Sequence, residues 1–216
     1  MSRIFFDLDG PILDVAPKFY RIYTDLFAAH GHAVLSAQEY WECKRHKIPE
    51  PQIVAKTAPA EFAEVYIPER LKVIENIEYL QYDEIIDGAV AALESLQKRH
   101  ELVLVTLRNR RASLMWELKH FDLEKHFAAI LTKENNHGDF QIKLELIRQY
   151  VGAAAASGML VGDTESDVKA GQLLGLRTVA VTGGIRTKEF LQALGPDHII
   201  DSMHQLLPIV EREFGQ

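Results

Sequence analysis

Ile4-Phe5-Phe6-Asp7-Leu8-Asp9-Gly10-Pro11 is the stretch on which the reading of this chain turns. Three apolar residues end abruptly in charge, the mark of a short buried strand. Gly10-Pro11 then forces a loop. A strand that stops on Asp7, with Asp9 two positions later, delivers two carboxylates to one end of whatever sheet it joins. Taken alone, Asp-x-Asp is a weak signal that also fits a solvated turn.

Downstream, the period changes. Phe19, Ile22, Tyr23, Leu26 and Phe27 recur at helical spacing from Pro17 to about Gly31 and form one apolar stripe. Pro49 and Pro51 interrupt the next segment, and Pro59 and Pro68 bracket another helical stretch. No strand is predicted between Ala16 and Gln81. After Asp87-Gly88 the pattern alternates. Strands are predicted at Leu102–Val105, Ala128–Leu131, Met159–Val161, Thr178–Val181 and His198–Ile200. Helices fall between them at 89–99, 112–120, 142–150, 168–174 and 189–194, and a last one covers 203–210. Strict alternation implies parallel strands joined by right-handed crossovers, with helices on both faces of the sheet. The fold class is therefore α/β, a parallel sheet with an inserted α-helical domain. The expected boundaries are 1–15 and 83–216 for the core and 16–82 for the insertion.

In open parallel sheets, ligands bind beyond the carboxyl ends of the strands. The first strand ends at Asp7, another at Thr106, and a third at Gly162-Asp163, with Asp167 one helical turn on. Oxygen donors from separate strands on one rim outline a site for a metal and an anion. Magnesium prefers oxygen ligands from a few carboxylates. Asp7 and Asp163 are the natural direct ligands. Asp9 can contribute its backbone carbonyl while its side chain stays free for proton transfer. A carboxylate can also attack phosphorus. Thr106 and the amides after it can hold phosphoryl oxygens, and Lys143, opening a predicted helix, can balance the charge. Lys133 is the rival lysine.

Four segments together resemble the haloacid dehalogenase superfamily. Asp7-Leu8-Asp9-Gly10-Pro11-Ile12-Leu13-Asp14 resembles its first motif, Thr106 after four apolar residues its second, and Lys143 its third. Gly162-Asp163-Thr164-Glu165-Ser166-Asp167 resembles its fourth. Lys169-Ala170-Gly171 to Gly175 and Val181-Thr182-Gly183-Gly184 are similar to the phosphoglycolate phosphatase and β-phosphoglucomutase-like branch. The order holds over almost the whole chain. The resemblance implies a Rossmann-like core with a helical cap and a magnesium-dependent phosphatase working through an aspartyl-phosphate. Asp7 would be nucleophile and metal ligand, and Asp9 the general acid and base. Thr106 and Lys143 would bind the phosphoryl group, Asp163 the metal, and Asp167 the metal directly or through a neighbour. The alternatives are a sugar-phosphate mutase and a non-catalytic binding protein of the same fold. The chain departs from the family at Pro11, where Thr is usual, and at Leu107-Arg108-Asn109 after Thr106. Leu107 and Arg108 are candidate substrate contacts, with a plain surface arginine the commoner reading of Arg108. In the insertion, Lys44-Arg45-His46-Lys47 is either a solvated face or a receptor for substrate charge, with Arg45 and Lys47 as the candidates.

The bulk numbers agree. A net charge of -7 disfavours nucleic acid and anionic membranes. One cysteine, Cys43, excludes an internal disulfide and reads as a packed thiol. No apolar run approaches the ~20 residues of a membrane helix. The N-terminus turns acidic too early for a secretory signal. The expectation is a cytoplasmic enzyme, monomer or homodimer, acting on a small phosphorylated metabolite with Mg2+.

Overall fold

The structure is a computed structural model that describes residues 2–134, 139–152 and 158–215. In chain order it runs β1 (Arg3–Phe6), β2 (Leu13–Asp14), α1 (Ala16–Ala29), α2 (Ala37–Arg45), α3 (Glu50–Val54), α4 (Ala63–Val73), α5 (Ile77–Leu80) and β3 (Glu84–Ile85). It continues with α6 (Ala89–Leu96), β4 (Glu101–Val105), α7 (Arg111–His120), β5 (Ala129–Leu131), α8 (Phe140–Val151) and β6 (Gly158–Gly162). It closes with α9 (Glu165–Leu174), β7 (Arg177–Val181), α10 (Lys188–Ala193), β8 (His198–Ile200) and α11 (Leu206–Phe214). The chain divides into two compact units, Met1–Asp14 with Ile85–Gln216, and Val15–Glu84.

The first unit is built on a six-stranded sheet of order β5-β4-β1-β6-β7-β8. Every neighbouring pair is parallel, and helices cover both faces. β1 is central, and the strand order reverses direction around it, which makes its carboxyl end the switch point of the sheet. Register decides what meets there. Phe6 pairs with Leu104 on one side and with Val161 on the other. Asp7 therefore stands level with Val105 and Gly162, and Thr106 and Asp163 lie one residue beyond. Three strands end together, so three polar residues share a rim.

The strands are held by near-continuous burial, as a sheet covered on both faces requires. Phe5, Val103, Val105, Leu144, Ile147, Leu160 and Ala170 form one apolar cluster under α8 and α9. Gly171 lets α9 approach the sheet, because a Cβ there would lie 2.5 Å from Thr178 Cγ2.

The second unit has its own aromatic core of Tyr23, Phe27, Tyr40, Phe62 and Tyr66, with Cys43 buried among them. The Tyr23 and Tyr40 rings stack at 4.4 Å. Lys18 and Asp83 form a buried ion pair at 2.5 Å, tying the start of α1 to the end of the unit. Pro68 lies inside α4 rather than bounding it. The helix forgoes one backbone hydrogen bond there, and Ala63 and Tyr66 still bury on its inner side.

Leu160 is 1% exposed at the centre of β6. Leu160→Ala is expected to cost about 2–5 kcal/mol through lost burial and a residual cavity, read by urea unfolding of the first unit. A loss under about 0.5 kcal/mol would contradict the packing described.

Candidate active site

The rim at the end of β1 is built by backbone before side chains act. The Asp7 amide donates to the Val161 carbonyl at 2.9 Å, which continues the β1–β6 ladder one residue past the strand. Asp7 Oδ1 accepts the Leu8 amide at 2.9 Å. The chain then turns sharply, with the Gly10 amide donating to the Leu13 carbonyl at 2.8 Å. Gly10 has φ +96°, and a Cβ there would lie 2.1 Å from Asp163 Cγ. Only glycine satisfies both demands.

Lys143, in the first turn of α8, is 1% exposed. Its Nζ lies 2.8 Å from Asp7 Oδ2 and also donates to Asp167 Oδ1. Asp167 is fixed from its other side by Thr164, whose amide and hydroxyl donate to Oδ2 at 3.1 and 2.7 Å. Asp163 sits beside them, 1% exposed. Its Oδ2 accepts the Ile185 amide at 2.6 Å. Its Oδ1 is buried with no hydrogen-bond partner among the described residues. Gly184 makes room for this carboxylate, since a Cβ there would lie 2.1 Å from Oδ2.

Asp7, Asp163 and Asp167 each offer an oxygen, and these three atoms lie within 4.8 Å of one another. The chemistry of this set fits a hard cation. So does an orphaned buried carboxylate oxygen, because a native interior leaves few such atoms unpaired. The electrostatics agree. Burial first, then Asp167 and Asp9 against the opposing pull of Lys143, push Asp7 up from 3.8 to about 7. Asp163 is raised well above its ordinary value by burial and by the neighbouring Asp167 and Asp7. Burial opposes the charge on Lys143, but Asp167 and Asp7 outweigh it and hold the amine above its usual range. Among the described residues the cluster has one cation, Lys143, for three buried carboxylates and is short of positive charge.

On the β4 side, Thr106 is 2% exposed. Its amide donates to Leu131 O at 3.0 Å, and its Oγ1 accepts the Arg108 amide at 3.3 Å. Leu107 is half-buried beside it. The sequence favours a surface position for Arg108 and a free side chain for Asp9, and the structure differs on both. Arg108 is 6% exposed. Its Nε and Nη2 donate to Asp9 Oδ2 and Oδ1 at 2.9 and 2.7 Å, a bidentate clamp. The physical reason is Glu117 of α7, 0% exposed, whose Oε2 lies 3.3 Å from Arg108 Nη2 and draws the guanidinium inward.

Lys133 is exposed and faces Glu145 at 3.4 Å, so the structure does not bring it to the Asp cluster. Arg45 and Lys47 belong to the second unit. Arg45 ends α2 half-buried, and Lys47 is exposed with φ 56°. Lys44 of the same basic run is committed to Glu50. Sequence reasoning missed Glu117 and the Ile185 amide. Glu117 had a signal. Leu114, Glu117, Leu118 and Phe121 follow the i, i+3, i+4, i+7 pattern of a buried stripe, so the charge sits on the apolar face.

Comparison with known proteins places the chain. The family described as haloacid dehalogenase-like hydrolase matches residues 4–181, and the chain belongs to it. A pyrophosphatase named PpaX from Halalkalibacterium halodurans is 23% identical over 97% of this chain and 97% of that protein. Among solved structures, a haloacid dehalogenase-like hydrolase from Streptococcus pneumoniae superposes with TM-score 0.80 at 18% identity, covering 97% of this chain and 98% of the other. A HAD hydrolase from Bacillus subtilis, described as bound to magnesium, superposes with TM-score 0.67 at 18% identity, covering 97% and 98%.

The raised Asp7 has a consequence for stability. Between 3.8 and about 7 Asp7 holds more proton in the folded protein than in the unfolded chain, so its contribution to stability falls as pH rises through that window. Metal-free wild type is expected to lose more Tm from pH 5 to pH 7.5 than Asp7→Asn does in scanning calorimetry, a comparison in which the opposite contributions of His100 and His126 cancel. Added magnesium should restore Tm at the higher pH and do less at the lower, and Asp163→Asn should abolish that gain. An equal magnesium effect at both pH values would contradict the account.

Proposed function

We propose that this chain is a magnesium-dependent phosphoric monoester hydrolase that acts on a small phosphorylated metabolite through an aspartyl-phosphate on Asp7. One observation carries the reading. The central strand ends in a carboxylate that is gripped by a buried lysine beside a second carboxylate with an unpaired oxygen. The hydrolytic family, the pyrophosphatase relative and the magnesium-bound neighbour support it. In this reading Val15–Glu84 is the helical cap.

Asp7, Asp163 and the backbone carbonyl of Asp9 would hold the magnesium ion, with Asp167 in the same cluster. When bound, the ion offsets the repulsion between these carboxylates and the phosphoryl group. The remaining steps belong to side chains. The Thr106 hydroxyl and the Leu107 amide orient the phosphoryl oxygens, and Lys143 neutralises charge as the transition state forms. An Asp7 oxygen attacks phosphorus, the bond to the leaving oxygen breaks, and the Asp9 carboxyl gives that oxygen its proton. Water then attacks the phosphorus, Asp9 takes the water's proton, and the bond to Asp7 breaks. Asp167 keeps Lys143 in place against Asp7.

The test is phosphate release from a panel of phosphorylated metabolites with magnesium or with chelator. Asp7→Asn is expected to lower kcat by about 10^3-fold or more, and Lys143→Ala by roughly 10^2–10^3-fold. Chelator should stop release in the wild type. Near-normal turnover by Asp7→Asn would refute the nucleophile, and an isomerised sugar phosphate in place of free phosphate would favour the mutase.

A further inference from the structure

Asp9 is the proton-transfer group of the proposed reaction, yet both of its oxygens are engaged by one arginine. The fork of Arg108 meets it through Nε at 2.9 Å and Nη2 at 2.7 Å. A carboxyl clamped in this way is badly placed to serve a leaving group, because its proton-accepting lone pairs already face a guanidinium. Something must take Arg108 away from Asp9 during turnover.

We propose that a second anionic group on the substrate, a carboxylate or a second phosphoryl, takes the Arg108 fork and releases Asp9. This rests on the phosphatase reading above and narrows its substrate class to phosphorylated compounds that carry a further acid group close to the phosphoryl group. Three observations point there. First, two acidic side chains that Arg108 meets differ in access. The side chain of Asp9 is 31% exposed and that of Glu117 is 0% exposed, so Asp9 is the partner that a ligand can replace. Second, Glu117 lies 3.3 Å from Nη2 on the buried side. It anchors the guanidinium when Asp9 departs, so the receptor stays aimed at the rim. Third, Arg108 is bonded to the phosphoryl-binding strand end, its amide donating to Thr106 Oγ1 at 3.3 Å. The captured anion must therefore lie close to the phosphoryl group, which sets a short spacing between the two.

The exchange is chemically even. A planar guanidinium fork accepts carboxylate or phosphoryl oxygens bidentately, so an incoming anion replaces the bonds that Asp9 gives up. A phosphate ester without a second anion makes no such exchange and leaves Asp9 clamped. Selection then acts on the chemical step as well as on binding.

The test is titration calorimetry in excess magnesium with three probes: methylphosphonate, phosphonoacetate and methylenediphosphonate. Wild-type protein is expected to bind one of the two doubly acidic probes about tenfold or more tightly than methylphosphonate. Whichever is preferred identifies carboxylate or phosphoryl as the second group. Arg108→Gln should bring that ratio close to one. Arg108→Lys, which keeps the charge but loses the fork, should recover only part of it. The ratio is internal to each variant, so a general loss of folding does not imitate the result. No preference in wild type, or a preference that survives in both variants, would overturn the proposal. Phosphate release is scored separately. If the ratio depends on Arg108 and no compound is hydrolysed, the anion receptor stands and the phosphatase reading falls. If hydrolysis is found without the ratio, the reverse holds.

Discussion

The ammonium group of Lys143 is the interaction on which the rim depends. It is 1% exposed and bridges Asp7 and Asp167. An isolated ammonium so placed would cost several kcal/mol in lost hydration. It is tolerated because two carboxylates share it, and they are tolerated because it is there. Removing the amine would leave Asp7, Asp163 and Asp167 as adjacent buried acids with no cation among the residues that hold the cluster together. Burial on this scale is poor economy for stability alone and is common where charge must be ready for chemistry.

The sheet makes this cluster possible without long-range adjustment. Parallel pairing of β1 with both β4 and β6 brings Asp7, Thr106 and Asp163 to one edge, and α8 brings Lys143 to the same place. Glycines then remove the volume that would keep the carboxylates apart. A Cβ at Gly10, Gly162 or Gly184 would lie 2.1 Å from an atom of Asp163 or Asp167. The rim is close-packed around its charges.

Much of this was legible in the chain. Leu102–Val105, between Glu101 and Thr106, and Met159–Val161, between Gly158 and Gly162, are apolar runs too short for helices, so the strands and the polar residues that follow them could be placed. Lys143 was harder, since a lysine near a helix start usually faces water, and only its place between two strand ends and the family resemblance singled it out. Arg108 was singled out, but its burial and its partner Glu117 were not, because the burial of each comes from the other. Neither makes sense in the interior without its partner, and the two lie nine residues apart across a loop and most of α7. Glu117 on an apolar stripe was the one available sign. Pro68 inside α4 escaped for a different reason: tertiary packing on Tyr66 outweighs the local cost of a proline that sequence reading treats as a stop.

The central claim is that Asp7 itself carries the phosphoryl group. Acid quench during turnover, borohydride reduction and peptide mass mapping test it directly, because reduction converts an aspartyl-phosphate to homoserine. The account predicts homoserine at position 7 and at no other aspartate, dependent on substrate and magnesium. Its absence at position 7 in protein that is turning over, or its appearance at Asp9, Asp163 or Asp167, would contradict the account.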